Sequence, residues 1–212
     1  AGVGSYDRYQ LGFNIAENLG QTQLQAYANH IQSHEYRDNA DYERQNFTLL
    51  SDTDFNSSWQ WRNLMLFTRL KAFIPSSLSL TDFQNNPQKA ADNWNAAAGF
   101  ESYDKLFLAS TLSHKFNNSS QWITSISFNL RDAYEPRPFD ILDEKEIGLG
   151  LRSRLQHNFL RNAKPLITQI GFEWQTDWYE AQNFDNLFRN TPERGSIQGD
   201  LVNAFEQNRI RF

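Results

Sequence analysis

The sequence predicts an all-β fold, an antiparallel up-and-down meander of about nine long strands that forms part of a transmembrane β-barrel. Apolar and polar residues alternate with a period of two through much of the 212-residue chain, a period typical of strands with one apolar face. The clearest segments are about 10–14 residues long, whereas ordinary strands average about five to six. The connectors between them alternate between short and long, as in outer-membrane barrels.

The composition agrees with a sheet that has one apolar and one polar face. Aromatic residues make up 15% of the chain, although the mean hydropathy is −0.69. The net charge of −5 and the lack of a basic stretch disfavour nucleic-acid binding. The chain has no Cys, which excludes disulfides and thiolate metal sites. No apolar run approaches the ~20 residues of a membrane helix.

The predicted strands follow one another along the whole chain. Near the start, Tyr9, Leu11, Phe13 and Ile15 share one apolar face, and the later strands repeat that alternation. In order, the strands are predicted at about 8–15, 22–33, 44–50, 59–73, 104–116, 122–131, 147–159, 166–179 and 198–211.

The fourth predicted strand has the least regular pattern. We assign Leu64, Leu66 and Leu70 to its apolar face, which places Arg69 and Lys71 on the polar face. The stretch "RNLMLF" carries apolar residues at successive positions and weakens this assignment.

Aromatic residues lie near several predicted strand ends, among them Trp122, Phe159, Trp174 and Trp178. Such positions fit the aromatic girdles of a membrane barrel. The alternative is a soluble sandwich or a lipocalin-like barrel with these aromatics in its core. Neither alternative requires strands of this length or connectors of such unequal length, so the membrane barrel is favoured.

The connectors predict which end of the sheet carries the larger loops. In an antiparallel meander alternate connectors lie at the same end, so all four long connectors share one end. Residues 88–95, inside the longest connector, are expected to form a short helix. The short connectors are predicted at 17–21, 51–58, 117–121 and 161–165, and the long ones at 34–43, 74–103, 132–146 and 180–197.

Three stretches in long connectors resemble loops of TonB-dependent outer-membrane receptors of the siderophore and ferric-citrate class. They are "IPSSLSLTDFQNNPQKAADNW" at 74–94, "HEYRDNADYERQNF" at 34–47 and "RDAYEPRPFDILDE" at 131–144. The resemblance implies binding and import of a ferric chelate, contact with outer-membrane lipid, and coupling to a TonB complex. It also implies a plug domain, which nothing in these residues resembles, and a 22-stranded barrel of which nine strands form about two-fifths. The chain is therefore expected to be a fragment of such a receptor.

Anion recognition is the chemistry that the long connectors favour. Arg meets the oxygen anions of ferric chelates with paired donors, and Tyr and Trp add flat contact area. On the lumen face, Arg152 and Arg154 are expected to point inward together with Arg69 and Lys71. The predicted ligand-binding residues are Tyr36, Arg37, Arg44, Trp94, Arg131, Tyr134, Arg137, Arg189 and Arg194.

Metal binding and catalysis are weaker hypotheses. His30 and His34 share one face of a strand and could form a paired site, but two polar residues at a strand end explain them as well. Ser33–His34 and Ser113–His114 are adjacent, so each pair points to opposite faces. A hydrolase would need Ser, His and an acid brought together in space. We therefore predict no enzyme activity, no cofactor and no metal site.

The sequence thus predicts part of an outer-membrane receptor in the bacterial cell envelope that binds a ferric chelate or a similar nutrient. The first alternative is a complete small barrel of eight to ten strands, acting as a pore or lipid-binding protein. A membrane hydrolase is the second alternative.

Overall fold

One antiparallel sheet makes up most of the computed structural model, which describes residues 1–161, 164–190 and 195–212, with backbone alone at 160–161, 164–165 and 189–190. Each strand pairs with the next one along the chain, so the predicted all-β meander is confirmed. The described strands are β1 (Gly2–Val3), β2 (Tyr9–Leu19), β3 (Thr22–Ser33), β4 (Tyr42–Asp54), β5 (Trp59–Phe73), β6 (Phe100–Lys115), β7 (Ser120–Pro136), β8 (Ile141–Arg161), β9 (Lys164–Asn186) and β10 (Gln198–Arg211).

Helices are few and short. The chain forms α1 (Leu80–Asn85), α2 (Asp92–Ala97) and a 3-10 helix (Leu187–Asn190). The helix predicted at 88–95 overlaps α2 only in part, and α1 was not predicted. No helix in the described ranges is both long and apolar enough to cross a membrane.

One face of the sheet, here called the apolar face, carries a continuous row of apolar side chains across eight strands. Residues that oppose each other on neighbouring strands point to the same face. The row is Phe13, Ala28, Phe47, Phe67, Leu106, Leu130, Ile147 and Trp178.

The opposite face, here called the polar face, carries an equally continuous polar row. It includes two ion pairs, Arg62–Asp52 at 2.7 Å and Arg152–Glu173 at 2.7 Å. The sequence alternation therefore assigns most strands to the correct faces. The row is Gln23, Asp52, Arg62, Thr111, Ser125, Arg152 and Glu173.

The face assignment of β5 from sequence is wrong. The register places Arg69 opposite Asp104 and Lys71 opposite Ser102, on the apolar face with Phe67. Leu64, Leu66 and Leu70 fall on the polar face instead. Arg69 and Lys71 therefore do not share a face with Arg152 and Arg154. Apolar residues occur on both faces of β5, so its own alternation could not choose a register, whereas pairing with β4 and β6 could.

The predicted extents of two long connectors are also wrong. Residues 132–136 continue β7 and 141–146 belong to β8, which leaves only 137–140 as the turn between them. Likewise β9 continues to Asn186. Polar and apolar residues are mixed on both faces of these strand ends, so the period-two pattern is lost while the backbone ladder goes on. Alternation reports where a strand has an apolar face, and it does not report where the strand stops.

Short turns join the strands at the opposite end of the sheet. β2 and β3 are joined by residues 20 and 21, with Gly20 at a φ of 64°. Asn56 and Asn117 organise the next two turns, because each side-chain oxygen accepts two backbone N–H groups. Residues 162–163 of the fourth predicted turn lie outside the described residues.

The sheet does not close on itself in the part of the chain described. β1 and β10 are its two edges, so neither edge strand has a second partner there. Buried apolar side chains are gathered at the long-connector end instead of along the sheet, and they are Ala90, Ala97, Ala133, Ile141 and Phe188.

Candidate functional site

Four connectors lie at the long-connector end and are called here the loop cluster. They are 34–41, 74–99, 137–140 and, of the fourth, the described residues 187–190 and 195–197. Hydrogen bonds join the second connector to the first and to the fourth, and Asn186, at the end of β9, bridges the third connector to the fourth. The polar face of the sheet leads up to this cluster. The loop cluster and the upper polar face therefore form the candidate site.

Arg37 ties the first connector to the second. Its guanidinium donates to the carbonyl oxygens of Ser76 at 2.7 Å, Lys89 at 2.9 Å and Pro75 at 3.3 Å. Asn39, which is buried, donates to the carbonyls of Ile74 and Gly99 at 2.9 and 3.0 Å. These bonds provide donors for the carbonyls of Ser76, Lys89 and Ile74. They add a second donor to the carbonyls of Pro75 and Gly99, which also accept backbone N–H groups. Arg37 was predicted to bind ligand, and this geometry gives it a structural role.

Two ends of the second connector have left-handed backbone at residues that carry side chains. Ser76 has a φ of 57° and Ala98 a φ of 48°. Just outside these two residues, the amide of Ile74 donates to the carbonyl oxygen of Gly99 at 2.9 Å. This hydrogen bond closes the base of the connector. Gly99 leaves room for the indole of Trp94, which a Cβ at that position would overlap.

Helix α1 is held by its N-terminal cap and by one lysine. The Ser79 hydroxyl accepts from the amide of Asp82 at 3.0 Å and donates to its carboxylate at 2.8 Å. The pKa of Asp82 is lowered by this hydrogen bond and by the charge of Lys89. Lys89 also bonds Asp92 at 3.0 Å, so it joins α1 to the start of α2. The Ser79–Asp82 spacing was the available sequence signal for α1.

The fourth connector is fixed to the second and the third. The amide of Gly195 and the hydroxyl of Ser196 donate to the carbonyls of Ala96 and Ala97 at 2.9 and 2.7 Å. The side chain of Asn186 donates to the carbonyl of Arg137 at 2.7 Å and accepts from the amide of Ile197 at 3.0 Å. No sequence pattern singled out Asn186 or Asn39, because an Asn that satisfies distant backbone groups resembles any loop Asn.

Arg137 organises the turn between β7 and β8. It forms a two-pronged ion pair with Asp140 at 2.6 and 2.7 Å and lies 3.7 Å from Glu135. The ring of Phe139 lies 5.0 Å from the Arg137 guanidinium. The charge of Arg137 is therefore largely compensated within the protein.

Arg131 lies on the polar face below the loop cluster. It pairs with Glu144 at 3.1 Å, lies 3.9 Å from Glu101, and sits over the ring of Tyr103 at 5.7 Å. The hydroxyl of Tyr179 donates to the same Glu144. The network combines one arginine with two carboxylates, Glu101 and Glu144, so its formal net charge is negative.

The remaining predicted ligand residues fall in different surroundings. Tyr36 is exposed and contacts Tyr6 edge-on, and Arg44 is exposed on the polar face with its side chain bonded to Asn46 at 3.0 Å. Trp94 packs against Phe139. Tyr134 opposes Ser102 and Asp143, which places it on the apolar face. The side chain of Arg189 and all of Arg194 lie outside the described residues.

Two histidines of the first strands lie near other polar side chains, and His30 also lies 3.9 Å from Glu43. His34 lies 3.2 Å from Asp41, and His30 lies 3.1 Å from the hydroxyl of Tyr9. In the described ranges, no group of three or more His, Asp or Glu could hold a metal ion.

A Ser–His pair also forms at the short-turn end of the sheet. The hydroxyl of Ser120 lies 2.8 Å from Nδ1 of His157. No acid hydrogen-bonds this His in the described part of the chain, so the pair lacks the third group of a hydrolytic triad.

Comparison with known proteins identifies similar structures but no similar sequences. No protein-family model matches the chain, and no curated protein matches it. FpvA of P. aeruginosa, in complex with a pyoverdine and iron, matches with a TM-score of 0.79 and 13% identity, over 98% of this chain and 32% of FpvA. The unliganded ferric citrate transporter FecA matches with a TM-score of 0.80 and 9% identity, over 96% and 31%.

A third match is the ferric-catecholate import receptor Fiu from E. coli K12 in its open form, with a TM-score of 0.66 and 11% identity, over 94% of this chain and 37% of Fiu. At such identities the likeness concerns the fold. The chain spans about a third of the length of these receptors. It has the fold of part of their barrel wall, so the resemblance to TonB-dependent receptors is confirmed at the level of the fold.

Proposed function

We propose that the chain is a segment of the barrel wall and mouth of a TonB-dependent outer-membrane receptor, and that this receptor binds and imports a ferric chelate. The gathering of all four long connectors into one cluster above a polar face carries the proposal. In this arrangement the apolar face contacts lipid and the polar face lines the lumen. The similar structures include receptors and transporters for ferric chelates, which supports the same role.

Crowding on the polar face supports the assignment of that face to the lumen. A Cβ on Gly148 would overlap the side chain of Asn129 and lie 2.7 Å from Asp177. On the apolar face, Ile126, Ile170 and Phe172 are 57%, 72% and 57% exposed. Large apolar groups exposed over a whole face mark contact with another phase or partner.

Within the mouth, Tyr36 and Arg44 are the strongest candidates for ligand contact. Both are exposed, and Arg44 has no carboxylate partner among the described residues. Arg131 and Arg137 face carboxylates, and Arg37 is bonded to carbonyl groups. A chelate that carries oxygen anions could therefore bind Arg44 without breaking an ion pair with a carboxylate.

A binding measurement on the intact outer-membrane protein tests the proposal. Ferric citrate and the neutral hydroxamate chelate ferrichrome are titrated into the purified protein, and binding is followed by fluorescence quenching or calorimetry. We expect one of these probes to bind, and Arg44→Ala to weaken the binding of an anionic probe by roughly tenfold, which is the scale of one charge-assisted hydrogen bond.

Arg154→Ala is the matched control, because Arg154 lies on the same polar face near the short-turn end. Equal losses in the two variants would remove Arg44 from the site. Failure of the intact protein to bind any ferric chelate, over a panel that includes catecholates, would contradict the proposed function.

A further inference from the structure

One apolar patch interrupts the polar face over strands β4, β5 and β6. Leu50 of β4 opposes Leu64 of β5, and two residues further along β5 Leu66 opposes Phe107 of β6. These four residues are called here the inner patch. The patch exists because the register of β5 turns its even-numbered leucines to the polar face.

Nothing in the described part of the chain covers the inner patch. Leu50 and Leu66 are 40% and 39% exposed. A cavity of about 340 Å³ opens over Leu50, Leu64 and Ala109 on this face. The interior of a membrane barrel is ordinarily polar, so exposed leucines at this place mark contact with an apolar group.

Two cations border the inner patch on the side of the loop cluster. Lys105 of β6 opposes Thr68, and Arg44 of β4 opposes Leu70, where Thr68 and Leu70 follow Leu66 on the same face of β5. Both cations are exposed, and neither forms an ion pair with a carboxylate in the described ranges. Above the inner patch, the polar face of β3, β4 and β5 carries no acidic residue, so the local charge on that side is positive.

The carboxylates of the neighbouring network on β6 to β8 have other partners. Glu144 accepts hydrogen bonds from Arg131 and from Tyr179, and Glu146 accepts one from Asn129. These groups therefore do not neutralise Arg44 or Lys105 directly. The border of the inner patch suits an anion, while the inner patch itself suits an apolar group.

We infer that the ferric chelate bound by this protein is an anionic amphiphile, which carries a free carboxylate and an acyl chain. The carboxylate lies at Arg44 and Lys105, and the acyl chain lies on the inner patch. Arg44 and Leu66 are separated by about 13 Å along the strands, which is four residues at about 3.3 Å each. The inference rests on the proposed function and deepens it, because it names the class of chelate.

A domain inside the barrel is the alternative occupant of the inner patch. The chelate is favoured because the patch continues the proposed site at Arg44 along the same face. The unpaired cations also lie on the side of the patch that faces the loop cluster, where a ligand enters. A ligand with both groups would therefore contact charged and apolar residues in the order in which the wall presents them.

Two matched chelates titrated into the intact protein test the inference. Both are ferric complexes of a citrate-based dihydroxamate, with acetyl groups on the hydroxamate nitrogens of the first and decanoyl chains on those of the second. The charge and the iron centre are the same in both. The readout is the ratio of their dissociation constants, measured by fluorescence quenching. We expect the decanoyl chelate to bind wild type roughly tenfold or more tightly than the acetyl chelate, since burial of apolar groups adds to its affinity.

Leu66→Gln should bring that ratio close to one, because it replaces the centre of the inner patch with a polar group. Ile167→Gln is the matched control. Ile167 is 60% exposed on the polar face of β9, near the short-turn end, and its replacement should leave the ratio as in wild type. Partition of the decanoyl chelate into detergent affects all three proteins equally and cancels in the comparison.

Lys105→Gln tests the anionic end. It should weaken both chelates by roughly two- to fivefold, as for an exposed ion pair, and should keep the ratio between them. Unchanged binding of both chelates by this variant would contradict the placement of the carboxylate.

Four further results would overturn the inference. They are equal affinity of wild type for the two chelates, binding of neither, a wild-type ratio in Leu66→Gln, and an equal loss of the ratio in Ile167→Gln. If Leu66→Gln keeps the ratio and instead speeds proteolysis of a domain inside the barrel, the inner patch is a packing surface. A protein that binds the acetyl chelate, or another ferric chelate, with no gain from the acyl chain would keep the proposed function and lose this inference.

Discussion

The loop cluster and the wall of the sheet are stabilised in opposite ways. The cluster and the strand ends that border it bury apolar side chains such as Ile141, the first residue of β8. The backbone of the cluster is satisfied by Arg37 and Asn39 and by Asn186 at the end of β9. The wall has continuous backbone ladders, but its apolar side chains stay exposed. The cluster is thus stabilised by side-chain burial, as a small soluble protein is. The wall is stabilised by its backbone hydrogen bonds and by the medium that contacts its apolar face.

This contrast shows that strand pairing and side-chain burial can stabilise different parts of one chain. Where the ladder satisfies every inner N–H and C=O group, the side chains are free to face lipid. Where the chain leaves the ladder, side chains must satisfy the backbone. The following substitutions test this division.

Truncation of a buried isoleucine should have the largest effect. Ile141→Ala leaves a cavity where β8 borders the loop cluster and should cost about 2–5 kcal/mol. Ile126→Ala, on the wall, removes a side chain that is 57% exposed and should cost less than about 1 kcal/mol. Thermal unfolding of the intact protein, with hydrogen exchange to locate the change, compares the two. Similar losses at both positions would contradict the division.

Removal of the Arg37 side chain should have the next largest effect. Arg37→Ala removes the side-chain donor from the carbonyls of Ser76 and Lys89, while Pro75 keeps the amide of Ala91. The change should destabilise the second connector by about 1–3 kcal/mol. Amide exchange is expected to rise over 74–99 and to stay unchanged in the ladder between β7 and β8. Arg44→Ala serves as the comparison, because Arg44 bonds only a neighbouring side chain, and protection of 74–99 should survive there.

A methyl group added to the crowded polar face tests packing within the wall itself. Gly148→Ala would press on Asn129 and Asp177 and should cost about 1–2 kcal/mol. Gly12→Ala lies on the same face, where nothing stands within 4 Å of the new Cβ, and should be close to neutral. Chemical denaturation of the two variants measures the difference. A neutral Gly148→Ala would mean that the polar face is as open as the apolar one.

Acidification should produce the smallest effect, confined to the loop cluster. The pKa of Asp82 in the folded protein lies below its ordinary value of 3.8, so its contribution is complete above that value. It is lost as the pH falls through the lowered pKa. Amide exchange in α1 should therefore rise below about pH 4, and Asp82→Asn should remove that dependence. An unchanged pH profile in the variant would assign the effect to another group.

The strands of the wall could be predicted because the sheet carries its own signal. Tyr9, Leu11, Phe13 and Ile15 alternate with polar residues because one face is apolar and the other is not, and β7 repeats this pattern. The alternation was lost where a strand does not have one apolar face and one polar face. In β5 both faces carry leucine or phenylalanine, so the register of that strand was missed. At 132–146 polar residues occur on both faces, so the lengths of β7 and β8 were missed.

The candidate site was only partly predictable for a related reason. Composition indicated arginines and aromatics in the long connectors, and the structure gathers those connectors at one end. The composition could not indicate that Arg37 bonds three carbonyls or that Arg137 pairs with Asp140. Nor could it indicate that Lys71 lies on the apolar face. Each of those outcomes depends on a partner far away in the chain.

The sequence by itself determined the architecture, because a period of two along long segments is a local property that each strand carries alone. It also determined that the long connectors share an end, since antiparallel order follows from counting strands. Only the tertiary structure decided the register of β5, the extension of β7 and β8, and which charges are compensated. Those features depend on pairing between strands and on contacts between loops. The interaction energies of such contacts involve residues that are far apart in the sequence, so no single segment of the chain determines them.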